Sequence, residues 1–312
     1  MSDSAVGWIA LTISTIAGST FNAYAKVLTT VLSSLSLLFL SEVLTAFFIL
    51  FSFGILPVIR HFLRLHKSDY FPLILVGFLN GVVGPILLFI GLYYTTAVNA
   101  GFYSNMQMVF IVLLAALILK EKITSAHYSA IFTILAGTVI ISLRGFTEGL
   151  DLQFGDILII ISALAYGLAS VYYRKYLSHV EPHLALFSRS AVAMLTFFIV
   201  SPFISHPFIT EVRSFPFALI PALIGFGFIG RFLNSVTYYQ AMEKLNLTTV
   251  SLVGSLGIIG STIFAYFYLG EPIEWFHYVG GAFIILGTIL LEIVGTHPSD
   301  DHLELHMKQR IP

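Results

Sequence analysis

The chain alternates long apolar stretches with short breaks that carry charge, proline or asparagine. Ten stretches stand out, roughly 7–28, 33–56, 70–94, 99–119, 125–143, 155–174, 182–201, 216–240, 248–269 and 275–294. Breaks fall at Pro57 to Asp69, Lys120-Glu121-Lys122, Arg144 to Asp151, Arg174-Lys175 and Glu243-Lys244. Each stretch is near the ~20 residues needed to cross a ~30 Å hydrocarbon core as a helix. A backbone in lipid must satisfy its own hydrogen bonds, and barrel strands would be shorter and alternating. The pattern therefore predicts an all-α polytopic membrane protein whose first partner is the lipid bilayer.

The pattern also repeats. Leu119–Ile141 (LKEKITSAHYSAIFTILAGTVII) and Leu269–Leu291 (LGEPIEWFHYVGGAFIILGTILL) agree at a shift of 150. The matches are Leu119/Leu269, Glu121/Glu271, Ile123/Ile273, His127/His277, Tyr128/Tyr278, Ile134/Ile284, Gly137/Gly287 and Thr138/Thr288. Likewise Gly7–Lys26 lines up with Gly155–Arg174, pairing Tyr24 with Tyr172 and Lys26 with Arg174. The chain reads as a duplication with five helices per copy: 1–144, then 145–295, then a tail over 296–312. Five is odd, so the second copy must enter the membrane from the opposite side, an inverted-topology repeat of the kind found in secondary transporters.

Composition sharpens this. Mean hydropathy is +0.93 with 57% hydrophobic and 10% charged residues, against about 25% charged in soluble domains. There is no cysteine, which excludes disulfides and thiolate chemistry. A net charge of -1 carries no nucleic-acid signal, and no GxxxxGK[ST] phosphate loop is present. Nothing in the pattern requires a cofactor. With the N-terminus in the cytoplasm, inside segments hold Arg60, Arg64, Lys67, Lys120, Lys122, Arg174, Lys175, Lys244, Lys308 and Arg310, and outside segments only Lys26, Arg144 and Arg213. The positive-inside rule then puts both termini in the cytoplasm of a cell (inner or plasma) membrane.

Three charges fall near helix midpoints: Glu42, Arg189 and Arg231. Each costs about 2.5–3.5 kcal/mol at the bilayer centre, so each should face the bundle interior with a partner. One acid against two bases leaves positive charge at mid-depth. That suits a substrate carboxylate or phosphate, which a guanidinium binds in bidentate fashion; a purely structural Glu–Arg pair is the plainer reading. Glu42 is also a candidate proton-coupling site, with burial and a nearby arginine pushing its protonation in opposite directions.

Matched Gly and Pro interruptions (Gly77, Gly81, Gly84 and Pro85 in helix 3; Pro221, Gly225, Gly227 and Gly230 in helix 8) point to a site at the repeat interface. Asn80, Asn105, Gln107, Tyr166 and Asn234 complete the candidate substrate-binding set, although amides also tie helices together. Gly254, Gly257 and Ser261 form a small-residue stripe, and Gly280 and Gly287 serve packing or a homodimer contact; monomer and homodimer both stay open. Glu121 and Glu271 each precede a new helix and read as stabilisers of its N-terminus. The tail, with His297, His302 and His306 among acids, reads as a solvated terminus rather than a metal site.

Paired halves ending in Leu-x-Glu-x-Ile and a Gly-rich last helix, preceded by Tyr238-Tyr239-x-Ala241, resemble the EamA-domain branch of the drug/metabolite transporter superfamily. The resemblance covers about residues 7–294 and implies a ten-helix carrier of small organic solutes, often amino acids or related metabolites, usually by export. Arg189, in LFSRSAV, matches the helix 7 pattern. Ser41-Glu42 departs from it, standing where many relatives carry arginine. The alternative class is a non-transporting membrane sensor or assembly protein of the same fold; an enzyme is disfavoured, since no HExxH is present and the histidines avoid the helix centres.

Overall fold

A computed structural model of the protein describes residues 3–120, 123–143, 153–177, 179–203, 207–245, 253–254 and 256–295. Every regular element among them is helical. Among the described residues eight helices are long and apolar enough to cross a membrane: helix 1 (Ser4–Leu28), helix 2 (Ser34–Phe53), helix 3 (Lys67–Tyr94), helix 4 (Ala97–Ile118), helix 5 (Ser125–Ser142), helix 6 (Phe154–Tyr176), helix 7 (His183–Val200) and helix 8 (Phe217–Tyr238). Two shorter apolar helices, helix 9 (Gly257–Leu269) and helix 10 (Trp275–Leu290), bring the total to ten. The fold is an all-α membrane bundle of two inverted five-helix repeats.

Boundaries move where local chemistry intervenes. Helix 2 stops at Gly54, whose φ of 82° only glycine adopts freely, and a nine-residue helix (Ile55–Leu63) follows inside the expected break. Helix 4 is interrupted at Asn105, whose side-chain amide donates to the Gly101 carbonyl at 2.8 Å. The expected start of helix 9, the acid Glu121 and the tail lie outside the described residues.

The expected interruptions of helices 3 and 8 are π-helical segments, Leu79–Val83 and Phe226–Leu233. Wide turns of this kind free backbone carbonyls from the regular ladder, and they gather at functional sites. In helix 3, Pro85 follows directly; it has no amide proton and its ring crowds the preceding turn. Both π segments end at equivalent positions, since eleven-residue helices resume at Gly84 and at Asn234, 150 residues apart. The same two positions receive matched bonds: Ser162 donates to the Gly84 carbonyl at 2.7 Å, and Ser14 to the Asn234 carbonyl at 3.2 Å. The structural register of helices 3 and 8 is thus 150.

Close crossings fix the repeats against each other. A Cβ on Gly137 would sit 2.4 Å from the Gly280 carbonyl, and one on Gly287 would sit 2.8 Å from the Ala130 carbonyl. Helices 5 and 10 therefore touch backbone to backbone, and Gly280 and Gly287 serve this internal crossing. Glu271 does not cap the helix it precedes. Gly270 turns the chain with φ 69°, and the carboxylate accepts from the Ala97 and Val98 amides at 2.9 Å each, at the start of helix 4. Opposite charge at a helix N-terminus is favourable there just the same. The start of helix 10 is held instead by His277, whose Nδ1 accepts from the Glu274 amide at 2.9 Å.

Candidate functional site

Helices 2 and 7 run side by side, and the stretches LFLSEVL (38–44) and LFSRSAV (186–192) correspond at a shift of 148. Ser41-Glu42 thereby matches Arg189-Ser190. Equivalent positions of two inverted repeats can meet only on the axis relating them, and these do. Glu42 Oε2 accepts from Ser190 Oγ at 2.7 Å.

The remaining contacts build a compact ionic cluster. Glu42, fully buried, gives Oε1 to Arg231 Nη2, and the same oxygen lies 3.5 Å from Arg189 Nε. Arg231 Nη1 donates to Ser41 Oγ at 3.0 Å, and the Ser41 hydroxyl in turn donates to the Leu38 carbonyl at 2.9 Å. The Arg231 guanidinium also sits 5.9 Å from the centre of the Phe226 ring, a distance that permits a cation–π contribution. Glu42 therefore contacts both arginines. Arg231 is well bonded, whereas the buried Nε and Nη2 of Arg189 donate to no one among the described residues. Buried donors left without a partner are costly, about 1–3 kcal/mol and more when charged.

Glycines in helix 3 set this geometry. A Cβ at Gly81 would lie 2.7 Å from Arg189 Cγ, and one at Gly84 would lie 2.8 Å from the Tyr166 ring. Any side chain at either position would displace the residue packed over it.

In front of the cluster lies a cavity of about 560 Å³, walled by helices 1, 3, 4, 6, 7, 8 and 9. Of the residues singled out from sequence, Asn80, Asn105, Gln107, Tyr166, Arg189, Arg231 and Asn234 line it. Glu42 does not; it stands behind the arginines and acts on the cavity through them. Asn234 is partly committed, accepting from Ser14 Oγ at 2.9 Å on Oδ1. Asn105 is committed to Gly101. The side chains of Asn80 and Gln107 make no hydrogen bond to another described residue. The lining contains Arg189 and Arg231 but no Asp, Glu or Lys, so with Glu42 the site carries one net positive charge.

Of a second set, the sequence pointed only to Tyr166. Ser14, Gly18 and Asn22 of helix 1 and Ser162, Tyr166 and Ser170 of helix 6 all line the cavity. They are equivalent at a shift of 148, each trio spaced by four, one helical face. The alignment of Gly7–Lys26 with Gly155–Arg174 already held that signal. The glycines of the helix 9 stripe, Gly254 and Gly257, are also cavity wall.

At one end of the bundle a polar network ties helices 1, 3, 4, 6 and 10. Lys26 Nζ donates to the carbonyls of Leu92 and Thr95 at the end of helix 3. Thr95 Oγ1 donates to Asp156, and His277 Nε2 pairs with Asn99 Oδ1 at 3.2 Å.

Two inverted repeats enclosing a charged, polar cavity at mid-depth define a membrane carrier architecture. A model of the EamA-like transporter family matches twice, over residues 5–143 and 153–293. The chain belongs to that family and is a multi-pass membrane transporter. It is 25% identical over 232 residues to an uncharacterized transporter of Methanothermobacter thermautotrophicus, covering 73% of this chain and 66% of that one. It is 24% identical over 216 residues to the uncharacterized transporter YyaM of Bacillus subtilis, covering 67% and 70%. The matches thus span about two thirds of these relatives' length. A solved crystal structure superposes with a TM-score of 0.63 at 19% identity, covering 94% of this chain and 96% of that chain, which supports the fold alone.

Proposed function

We propose that the protein is a secondary transporter that exports small polar metabolites bearing a carboxylate or phosphate, amino acids first among them. The observation that carries this reading is Arg189: a guanidinium on the cavity wall whose buried Nε and Nη2 have no hydrogen-bond partner among the described residues. An anionic group entering the cavity supplies the missing acceptor and neutralises the surplus charge. The cavity volume suits a small solute. Asn80 and Gln107 would read its remaining polar atoms.

Transport would proceed by alternating access, the repeats rocking about the axis marked by Glu42 and Ser190. The network of Lys26, Thr95, Asp156, Asn99 and His277 would be the closed extracellular gate, both termini lying in the cytoplasm of the cell membrane. Glu42 would be the proton-coupling group, as the one carboxylate among the described residues in contact with both cavity arginines.

Reconstitution in liposomes tests this. Uptake of a labelled amino-acid mixture should exceed that of empty liposomes and vanish in Arg189→Ala. In Glu42→Gln it should no longer respond to an imposed proton gradient. Full uptake by Arg189→Ala would overturn the binding role. An unchanged gradient response in Glu42→Gln would remove the coupling role and leave the carrier reading standing.

A further inference from the structure

We propose that His61, Glu181 and His183 form a binding site for a divalent transition-metal cation of the zinc class. The site lies where the short helix after helix 2 (Ile55–Leu63) meets the start of helix 7. None of the three residues lines the cavity, and the site plays no part in the transport reading.

The geometry is that of a three-ligand site with a vacant position. One ligand atom from each residue lies within 4.8 Å of the others. Glu181 Oε2 is 3.3 Å from His183 Nε2 and 3.7 Å from His61 Nδ1. Zinc bonds nitrogen and oxygen at about 2.0–2.2 Å in tetrahedral geometry, so neighbouring ligand atoms should stand roughly 3.3–3.6 Å apart. Two of the three edges are at or near that separation without rearrangement, and the third needs a small side-chain rotation. Two histidines and one glutamate are a known ligand set for zinc with an open fourth position, to be filled by water.

The donor chemistry narrows the ion. Two imidazoles in three ligands favour zinc, cobalt, nickel or copper over magnesium and calcium, which take oxygen. The surroundings allow loading: the Glu181 and His61 side chains are 57% and 48% exposed, giving an entry path, while His183 is 20% exposed. The His183 ring is held by stacking on Phe53, centroids 5.0 Å apart and planes 11° from parallel. The stack restricts rotation of the ring and so limits the freedom lost when His183 takes up a ligand position.

The consequence is mechanical. Phe53 and His61 belong to the end and extension of helix 2, Glu181 and His183 to the start of helix 7. These are the two helices that carry Glu42 and Arg189. A bound metal would staple their ends on one membrane face and resist their separation.

The test is titration of the purified full-length chain in detergent with Co²⁺ alone, followed by Zn²⁺. The tail histidines His297, His302 and His306 should first be changed to Asn so that they cannot compete. One Co²⁺ per chain is expected, with the intense visible bands of a four- or five-coordinate site, bleached by one equivalent of Zn²⁺. Glu181→Gln should weaken binding more than about tenfold, and the His61→Asn, His183→Asn double variant should abolish it. Loss of His183 also disturbs the Phe53 stack; if the double variant does not fold, His61→Asn alone decides, since its side chain is half exposed. Absence of binding, only the pale bands of an octahedral aquo ion, or binding unchanged in His61→Asn would each overturn the proposal.

Discussion

The two repeats share their joints and differ in their chemistry. Gly137 and Gly287 make equivalent backbone crossings, and Ser14 and Ser162 bond equivalent carbonyls beyond equivalent π segments. The walls they position are unlike. Helix 4 presents Ser104, Asn105 and Gln107 to the cavity, while helix 9 and the described residues just before it present Gly254, Gly257, Ile258 and a single hydroxyl, Ser261. At the register of 150 the partner of Arg231 is Gly81, which in the first repeat makes room for Arg189. The first repeat thus supplies the acid and most of the amides, and the second supplies both arginines. Duplication holds the helices; divergence recognises the solute, so an asymmetric molecule can be bound in one orientation by a symmetric frame.

The sharpest way to break that comparison is at the arginines. Arg231→Ala removes the bonded partner of a fully buried carboxylate, a change expected to cost about 3–5 kcal/mol. It should lower the melting temperature in detergent and abolish transport. Arg189→Ala should abolish transport too, yet leave thermal stability within about 1 kcal/mol, because two of its nitrogens make no hydrogen bond and its contact with Glu42 is a looser ion pair at 3.5 Å. Equal destabilisation by both changes would make the cluster a structural unit with no spare charge for a ligand.

Next in size are the shared crossings. Gly137→Val and Gly287→Val each force a side chain against a carbonyl of the facing helix, and overpacking of this sort costs about 1–3 kcal/mol. The two losses, read as shifts in unfolding temperature, should be alike. A large effect at one position and none at the other would show that the inverted repeats do not share this joint.

Much of this frame was legible in the sequence because lipid leaves so few options. Ten apolar stretches, the duplicated Gly137 and Gly287, and the three intramembrane charges follow from the cost of exposing polar groups to hydrocarbon. That Gly and Pro would interrupt helices 3 and 8 was also legible. The kind of interruption was not, since a π turn depends on what the neighbouring helix offers the freed carbonyls, here Ser14 and Ser162. The register of helices 3 and 8 was not legible either, and only the matched helix starts at Gly84 and Asn234 revealed 150. Glu271 misled for a similar reason: local order placed it before helix 10, while the turn at Gly270 carries it to helix 4. The seat of Glu42 behind the arginines depends on three helices at once, which no local pattern encodes.

The smallest effect is the finest probe of shared joint against divergent wall. Ser14→Ala and Ser162→Ala each delete one hydrogen bond to a carbonyl freed by a π segment, worth about 0.5–1.5 kcal/mol. Their stability losses should be similar. Their transport phenotypes should not be. Ser162 bonds the Gly84 backbone, whereas Ser14 also donates to Asn234 Oδ1 at 2.9 Å. Removing Ser14 therefore releases a cavity-lining amide that can turn, while removing Ser162 releases none. Ser14→Ala should raise the KM for the transported solute with little change in maximal rate, and Ser162→Ala should leave KM where it was. If both variants raise KM alike, Asn234 is not the group through which helix 1 acts, and the divergence between the walls lies in helices 4 and 9 alone.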